Sequence, residues 1–148
     1  MICERVPLDT NVLSEFSRHR EAAPAVKQWL TAADDVALFV SVLSLAEIRS
    51  GIEKLDSGKR RSLLEQWFEG ELVPFFGPRI LPVSQTIANH WAILSAGLER
   101  KGITLPTIDG LIAATALDHD LSVVTRNVKD FVSTGVTIIN PWDSFPTA

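Results

Sequence analysis

A chain of 148 residues with 46% hydrophobic residues is long enough to bury a core as one domain over residues 1–148, without disulfides or structural metals. The single cysteine, Cys3, cannot form an intrachain disulfide, so we expect a cytoplasmic protein. The longest apolar stretch, residues 36–46, is too short to span a bilayer. The net charge of −4 excludes binding to nucleic acid through overall positive charge, but it allows local basic patches and phosphate contacts bridged by metal ions.

The N-terminal half alternates short β-rich runs with longer helical patterns, which predicts a parallel α/β sheet. The first strand, at residues 6–8, is predicted to be short because Pro7 has no N–H group and is typical of a strand edge or end. An aliphatic run at residues 36–40 predicts a buried second strand. The spacing of apolar residues predicts helices at residues 12–18, 24–33, 44–55 and 63–72.

The C-terminal half continues this alternation, so the whole chain is predicted to form one compact domain. Its predicted strands lie at residues 79–83, 122–125 and 137–139. The first of these is edge-like because it contains Pro82. Ser84 is predicted to cap a long helix that ends at Gly102, and shorter helices are predicted from residue 109 and over residues 127–132.

Three acids, Asp9, Glu47 and Asp109, are predicted to lie at the starts of helices. Each has a structural explanation. An aspartate before a helix can cap it, as Asp9 would; Glu47 has the capping-box spacing from Ser44; and the helix dipole favours an acid such as Asp109 in a first turn. These separate explanations do not account for three such acids on the same side of one sheet.

The predicted topology brings these acids together. Asp9 follows the first strand and Glu47 the second, so both lie at the carboxyl edge of the sheet, where α/β proteins bind ligands. Asp109 reaches this edge if the connection before it folds back. Three carboxylates in one crevice raise each other's pKa unless a cation lies among them, and hard oxygen ligands suit Mg²⁺ or Mn²⁺. Such an ion polarises phosphoryl oxygens and activates a water, which predicts hydrolysis of a phosphate ester.

Four motifs carry a resemblance to a known family. They are LDTNVLSE at 8–15, AEIRSGI at 46–52, DGLIAATA at 109–116 and VTRNVKDF at 124–131, followed by NPW at 140–142. In this order and spacing the chain resembles PIN-domain ribonucleases over nearly its whole length, and within them the VapC toxins of the FitB-like branch. The resemblance implies a three-layer α/β/α fold with a five-stranded parallel sheet in the order 3-2-1-4-5. It also implies cleavage of RNA that depends on Mg²⁺ or Mn²⁺, and inhibition by a cognate VapB-like antitoxin.

The resemblance also implies roles for individual acids. Asp9 and Asp109 match the main metal ligands of the family, and Glu47 would ligate the ion or bind its water. Where the family often has a fourth acid, this chain has Asn127, which brings no negative charge, so we expect one tightly held ion. We interpret the nearby Asp130 as part of the cap of a short helix.

Three polar residues are expected to support the acids. Thr10, Asn11 and Thr125 would orient the ligands or the water, as residues around metal sites commonly do. Arg49 is next but one to Glu47 and could meet an RNA phosphate or an antitoxin carboxylate, but we interpret it as a solvated surface residue.

Two other functions remain open. A haloacid-dehalogenase-like phosphatase also has an acid after its first strand, but it needs a second aspartate where this chain has Asn11. A catalytically weak RNA- or protein-binding module on the same fold would explain the neutral Asn127. Metal-dependent RNA cleavage distinguishes an enzyme from such a module.

Two predicted helices carry more large apolar residues than one sheet face requires. They lie at residues 63–72 and 87–98 and contain Trp67 and Trp91. Exposed apolar surface of this kind is typical of association sites, so we predict a homodimer that does not contact a membrane.

Overall fold

The computed structural model describes residues 5–16 and 24–143. Five short strands, numbered in chain order, form one sheet in which all neighbouring strands are parallel, and their order across the sheet is 3-2-1-4-5. The α/β class and the order 3-2-1-4-5 are therefore confirmed. The strands are β1 (Val6–Leu8), β2 (Leu38–Ser41), β3 (Ile80–Leu81), β4 (Val123–Val124) and β5 (Ile138–Ile139).

Helices connect and cover the strands. A π-helical turn, Phe68–Leu72, leads directly from one helix into the next. No helix in the described part of the chain is long and apolar enough to cross a membrane. Cys3 and the last two residues of the predicted first helix, 17–18, lie outside the described ranges. The helices are α1 (Thr10–Phe16), α2 (Pro24–Ala32), α3 (Val42–Glu53), α4 (Lys59–Trp67), α5 (Val73–Phe76), α6 (Gln85–Arg100), α7 (Thr107–Asp118) and α8 (Val128–Phe131).

The core consists of two apolar clusters, one on each face of the sheet. Neighbouring residues of β4 belong to different clusters, Val124 to the first and Val123 to the second, because side chains alternate along a strand. Helix α1 contributes to the first cluster and α7 to the second, which gives the three layers of an α/β/α fold. Each fully buried Val or Leu contributes about 1.5–3 kcal/mol to folding.

Pro7 lies in the central strand, which corrects the expectation of a strand edge or end. Strand β1 pairs with β2 along all three of its residues but with β4 only at Leu8. The backbone N–H of Asp9 donates to the carbonyl oxygen of Val124 (2.9 Å), so the nitrogen two residues earlier also faces β4. The nitrogen of Pro7 lies before the single residue at which β1 pairs with β4. The missing N–H of Pro7 therefore removes no hydrogen bond between these two strands.

The second strand begins at Leu38, two residues later than predicted. The Asp34 carboxylate accepts a hydrogen bond from the N–H of Val36 (3.3 Å) and caps a 3₁₀ turn, Asp35–Ala37. Val36 is 68% exposed. A side chain that offers hydrogen bonds to the local backbone competes with the sheet, and here it delays the strand.

Helix α6 follows its prediction at both ends. The Ser84 hydroxyl accepts a hydrogen bond from the N–H of Ile87 (3.2 Å) and caps the helix. Gly102, with φ of +79°, follows the last turn in the left-handed region that glycine adopts without strain. Sequence cues of this kind act within four residues, which is why they predict helix ends well.

Candidate active site

Asp9 lies at the junction of the central strand and the first helix. Its N–H donates to the carbonyl oxygen of Val124 (2.9 Å), and its own carbonyl oxygen accepts from the N–H groups of Val12 and Leu13 (3.0 and 3.1 Å). Strand β1 and helix α1 are thus joined without a loop, and the residue between them is 3% exposed.

The Asp9 carboxylate is held by donors from both neighbouring segments. Oδ1 accepts from the N–H of Thr10 (2.8 Å), and Oδ2 accepts from the hydroxyl of Thr125 (2.8 Å) and the amide of Asn11 (3.5 Å). A capping aspartate would instead accept from the N–H of the second or third helical residue, Asn11 or Val12. The carboxylate is therefore directed towards the ends of β1 and β4.

The Thr125 hydroxyl uses its full hydrogen-bonding capacity. It donates to Asp9 and accepts from the N–H of Asn127 (3.0 Å) and the Nδ2 of Asn11 (3.3 Å). A hydroxyl has one proton and two lone pairs, so its proton is committed to the carboxylate. Asn11 completes the link, because its Oδ1 accepts from the N–H of Arg126 (3.3 Å). These contacts are those that the predicted role of Thr125 and Asn11, orienting the Asp9 carboxylate, would require.

Glu47 lies in the second turn of α3, so the capping-box interpretation is wrong. The helix begins at Val42, directly after β2, and Ser41 caps it by accepting from the N–H of Leu43 (3.1 Å). Ser44 is buried inside the helix instead of capping it. The Oε1 of Glu47 accepts from the hydroxyl of Thr10 (2.5 Å). Thr10 therefore joins Glu47 to Asp9, since its N–H binds one acid and its hydroxyl the other.

Asp109 lies in the first turn of α7, as predicted, and the dipole of this helix favours it there. It is half-buried, and its side chain makes no hydrogen bond within the described ranges. Burial, followed by the negative charges of Asp9, Asp130 and Glu47, raises the pKa of Asp109 to about 6. The carboxylate of Asp109 thus interacts electrostatically with the other acids at this edge of the sheet.

The pKa of Asp9 is also raised. Burial is the main cause, and the charges of Glu47 and Asp130 act in the same direction. The hydrogen bonds from Thr125 and from the Thr10 N–H partly offset these effects. Both Asp9 and Asp109 would therefore be favoured in their ionised form by a cation placed among them.

Asp130 is a fourth acid whose charge acts on Asp9 and Asp109, and within the described residues it makes no capping bond, which corrects the prediction of a helix cap. Helix α8 begins at Val128, and Asn127 occupies the cap position without a capping bond from its side chain. The exposed Asn127 contributes its backbone N–H to Thr125, whereas the charge of Asp130 reaches both Asp9 and Asp109. The missed signal is an acid in the first turn of a helix, as at Asp109, here in a helix that follows the end of β4.

The donor chemistry of these acids fits a divalent cation. Within residues 5–16 and 24–143, no three acidic, histidine or cysteine side chains converge into a ready-made metal-binding group. The acids nevertheless share one edge, and their oxygen ligands are those that Mg²⁺ and Mn²⁺ prefer. Asp9, Glu47, Asp109 and Asp130 are the residues that would hold such an ion.

Close packing, not hydrogen bonding, positions Asp109. A Cβ atom added to the next residue, Gly110, would lie 2.8 Å from two ring atoms of Trp91 and 2.9 Å from Leu105. The indole Nε1 of Trp91 is buried and has no hydrogen-bond partner in the described chain. Only glycine allows the first turn of α7 to approach α6 this closely.

Comparison with known proteins agrees with this geometry. The family model of the PIN domain matches residues 6–135, from the central strand through the 3₁₀ turn that follows α8. The chain belongs to the PIN-domain family. The resemblance seen in the four sequence motifs is thereby confirmed.

Relatives of this PIN domain match almost end to end. VapC ribonuclease Y4jK of Sinorhizobium fredii is 37% identical over 138 residues, which cover 93% of this chain and 98% of the relative. Toxin FitB of Neisseria gonorrhoeae is 35% identical over 135 residues, covering 91% and 96%. The crystal structure of FitAcB from that organism aligns with a TM-score of 0.87 at 34% identity, over 93% of this chain and 99% of the other. A toxin–antitoxin complex from Klebsiella pneumoniae aligns with a TM-score of 0.67 at 26% identity, over 92% and 97%.

Proposed function

We propose that this PIN domain is a metal-dependent endoribonuclease and the toxin of a toxin–antitoxin pair. The observation that carries the proposal is the buried Asp9 carboxylate at the sheet edge, which three donors hold and which Thr10 links to Glu47. A buried carboxylate oriented in this way, among others of like charge, is suited to hold a cation and a phosphate together.

The acids have distinct roles in the proposed site. Asp9 and Asp109 would be the main ligands of one Mg²⁺ or Mn²⁺ ion, with Glu47 and Asp130 beside them. When bound, the ion supplies polarisation of the phosphoryl oxygens and a lowered pKa for an attacking water. Asp130 provides the fourth negative charge that was expected to be absent because of Asn127.

The neighbouring polar residues keep the acids in place. Thr125 and Asn11 fix the rotation of the Asp9 carboxylate, and Thr10 ties it to Glu47. Residues that hold metal ligands in this way commonly change metal affinity or activity about 10- to 100-fold when they are removed.

The proposed substrate and the proposed partner are inferred from the similar proteins. VapC ribonuclease Y4jK supports RNA as the substrate, and toxin FitB together with the Klebsiella toxin–antitoxin complex supports a VapB-like antitoxin as the partner. The homodimer stays a prediction, for which Leu63 and Ile93 offer exposed apolar surface at 43% and 67% exposure. A monomeric mass by light scattering at micromolar concentration would contradict it.

The test of the proposed activity is RNA cleavage by the purified chain. We expect cleavage of at least one class among messenger, transfer and ribosomal RNA with Mg²⁺ or Mn²⁺, and none with EDTA or in the Asp9→Asn variant. A folded wild-type chain that binds RNA but cleaves none of these classes with either metal would instead support a binding module.

The toxin assignment has its own test. Expression of the chain alone should slow bacterial growth, and co-expression of a small gene encoded beside it should restore growth. The Asp9→Asn variant should be harmless at the same expression level. Normal growth during expression of an active enzyme would argue for a housekeeping nuclease.

A further inference from the structure

We propose that Arg126 binds a phosphate group of single-stranded RNA next to the bond that is cleaved, and that Trp142 holds the guanidinium in position. This inference rests on the proposed function, because it names a substrate contact of the same site. It assigns a role to two residues that the acid cluster does not use.

The backbone of Arg126 is fixed at the edge of the site. Thr125, which precedes it, donates its hydroxyl to Asp9, and the N–H of Arg126 itself donates to the side chain of Asn11 (3.3 Å). Strand β4 lies directly beside β1, and neighbouring strands are about 4.8 Å apart. The backbone of Arg126 therefore lies about one strand spacing from that of Asp9. If one phosphate group of the RNA binds at the acids, the Arg126 side chain is long enough to reach the next phosphate group.

Trp142 gives the Arg126 side chain a defined orientation. The guanidinium carbon lies 5.1 Å from the centroid of the Trp142 ring, within the range of a cation–π contact. The ring is itself held, because the Trp142 N–H donates to Oδ1 of Asn140 (3.0 Å) and the side chain packs partly against the first core cluster. The ends of β4 and β5 are level, since the N–H of Thr125 donates to the carbonyl oxygen of Ile139 (2.9 Å).

Three other arginines have their donors engaged elsewhere. Arg49 pairs with Glu53 and Glu69, Arg61 pairs with Glu53 and Glu65, and Arg79 donates to the carbonyl oxygens of Asp35, Leu38 and Phe75. Arg126 is exposed, and within the described ranges its guanidinium forms no ion pair. Its forked N–H donors therefore remain available for a ligand.

A phosphate is the ligand that this arrangement fits. The guanidinium fork binds phosphate oxygens through two parallel hydrogen bonds, and stacking on an aromatic ring leaves its edge available for them. Four carboxylates at one edge repel RNA, so a fixed cation beside them lowers the electrostatic cost of bringing a phosphodiester to the site.

The experiment measures binding of a fluorescein-labelled single-stranded RNA of mixed sequence by anisotropy, in the uncleaving Asp9→Asn background and over a series of salt concentrations. Arg126→Gln should weaken binding about tenfold and reduce the slope of log affinity against log salt by about 0.7, the value for one released counterion on single-stranded nucleic acid. Arg60→Gln is the matched control, since Arg60 is an exposed arginine at the start of α4.

Trp142→Phe and Trp142→Leu separate positioning from charge. Phe keeps a ring under the guanidinium and should bind nearly as well as the parent, whereas Leu should lose affinity severalfold with an unchanged salt slope. Thermal unfolding of both variants shows whether the fold is intact. If Leu also lowers the unfolding temperature, Arg126→Gln still decides the question, because Arg126 is exposed.

Two outcomes would overturn the inference. One is equal RNA binding and equal salt slope in Arg126→Gln and Arg60→Gln, in protein whose wild-type form cleaves RNA. The other is unchanged RNA binding in Arg126→Gln with lost binding of a labelled oligo-aspartate peptide, which would assign the arginine to an acidic protein partner. Failure of the proposed function is distinct, because then the wild-type chain itself cleaves no RNA.

Discussion

Asp9 and Asp109 stand at the same edge of the sheet but are held in different ways. Asp9 is 3% exposed, and the oxygens of its carboxylate accept from Thr10, Thr125 and Asn11. Asp109 is half-buried and has no hydrogen bond within the described chain, and its position depends on the packing of Gly110 against Trp91. One acid is oriented by donors and the other by a helix–helix contact.

The difference shows how one site combines rigidity with adjustment. Three donors fix the rotation of the Asp9 carboxylate before any ligand arrives, which is preorganisation of an electrostatic site. Asp109 lacks such donors, and burial together with the charges of its acidic neighbours raises its pKa to about 6. We infer that binding of a cation changes the orientation of the Asp109 side chain more than that of the Asp9 side chain.

The largest expected effect is that of Asp9→Asn. The substitution removes a ligand charge at nearly constant volume, so cleavage should fall by more than about 100-fold, the upper value for loss of a residue that only supports a metal ligand. Unfolding free energy should change by less than about 1 kcal/mol, because a buried charge is removed along with part of its hydrogen bonding. RNA cleavage and circular dichroism measure the two quantities, and full activity in a folded, metal-saturated variant would contradict the role of this acid.

Thr125→Val tests the donor side of the comparison. The loss of the hydroxyl leaves Oδ2 of Asp9 with the long contact from Asn11 and removes the acceptor of the Asn127 N–H. Cleavage should fall about 10- to 100-fold, and stability by about 1–3 kcal/mol from unsatisfied buried groups. Thr125→Ser keeps the hydroxyl and should retain most activity in the same cleavage and urea-unfolding assays. Equal loss in both variants would mean that the methyl group, not the hydrogen bond, matters.

Gly110→Ala tests whether helix packing positions Asp109. The new Cβ would lie 2.8 Å from two indole ring atoms of Trp91, so the first turn of α7 must shift away from the ring and carry Asp109 with it. We expect cleavage to fall about tenfold through misplacement of the acid, and overpacking to cost about 1–3 kcal/mol of unfolding free energy. Gly97→Ala is the control, because a Cβ there meets no atom within 4 Å and a helical alanine is favoured over glycine by up to about 1 kcal/mol. Unaltered activity in Gly110→Ala would show that this contact does not position Asp109.

The raised pKa of Asp109 predicts a pH-dependent stability difference in EDTA. Between its ordinary value of 3.8 and about 6, the folded chain keeps a proton that the unfolded chain loses. The group therefore lowers stability as pH rises through this window. Asp109→Asn should accordingly raise the melting temperature at pH 7.5 relative to the wild type and have little effect at pH 3.5. Added Mn²⁺ should raise the wild-type melting temperature at pH 7.5 and not that of the variant. A melting difference that is equal at both pH values would disprove the linkage.

The smallest expected effect is that of Asp130→Asn. The attraction between one nearby carboxylate and the ion contributes about 1 kcal/mol to metal binding. Its removal should therefore raise the Mn²⁺ concentration for half-maximal cleavage about fivefold. Asp56→Asn, at an exposed position between α3 and α4, controls for overall charge and should have no effect. The exposed Asn127 should tolerate alanine, since its backbone makes its contact with Thr125. A larger effect of Asn127→Ala than of Asp130→Asn would restore Asn127 as the fourth position of the site.

The amino-acid sequence by itself determined the class of the fold, the order of its elements and the main acids to consider. These features depend on local patterns, such as the apolar spacing of α6, its Ser84 cap and the glycine that ends it. The same is true of Asp9, which follows a strand directly, and of Asp109, in the first turn of a helix. Local patterns suffice where the stabilising partners lie within a few residues.

The tertiary structure alone decided how the acids are held and which of them act on one another. The hydrogen bond from Thr10 to Glu47 spans 37 residues and that from Thr125 to Asp9 spans 116, and neither has a local signature. The start of α3 at Val42 follows from the end of β2, whose Ser41 both pairs with β3 and caps the helix, so the nearer cue at Ser44 was misleading. Asp130 joins the cluster because parallel strands bring the starts of distant helices to one edge, and charge acts through space and not along the chain.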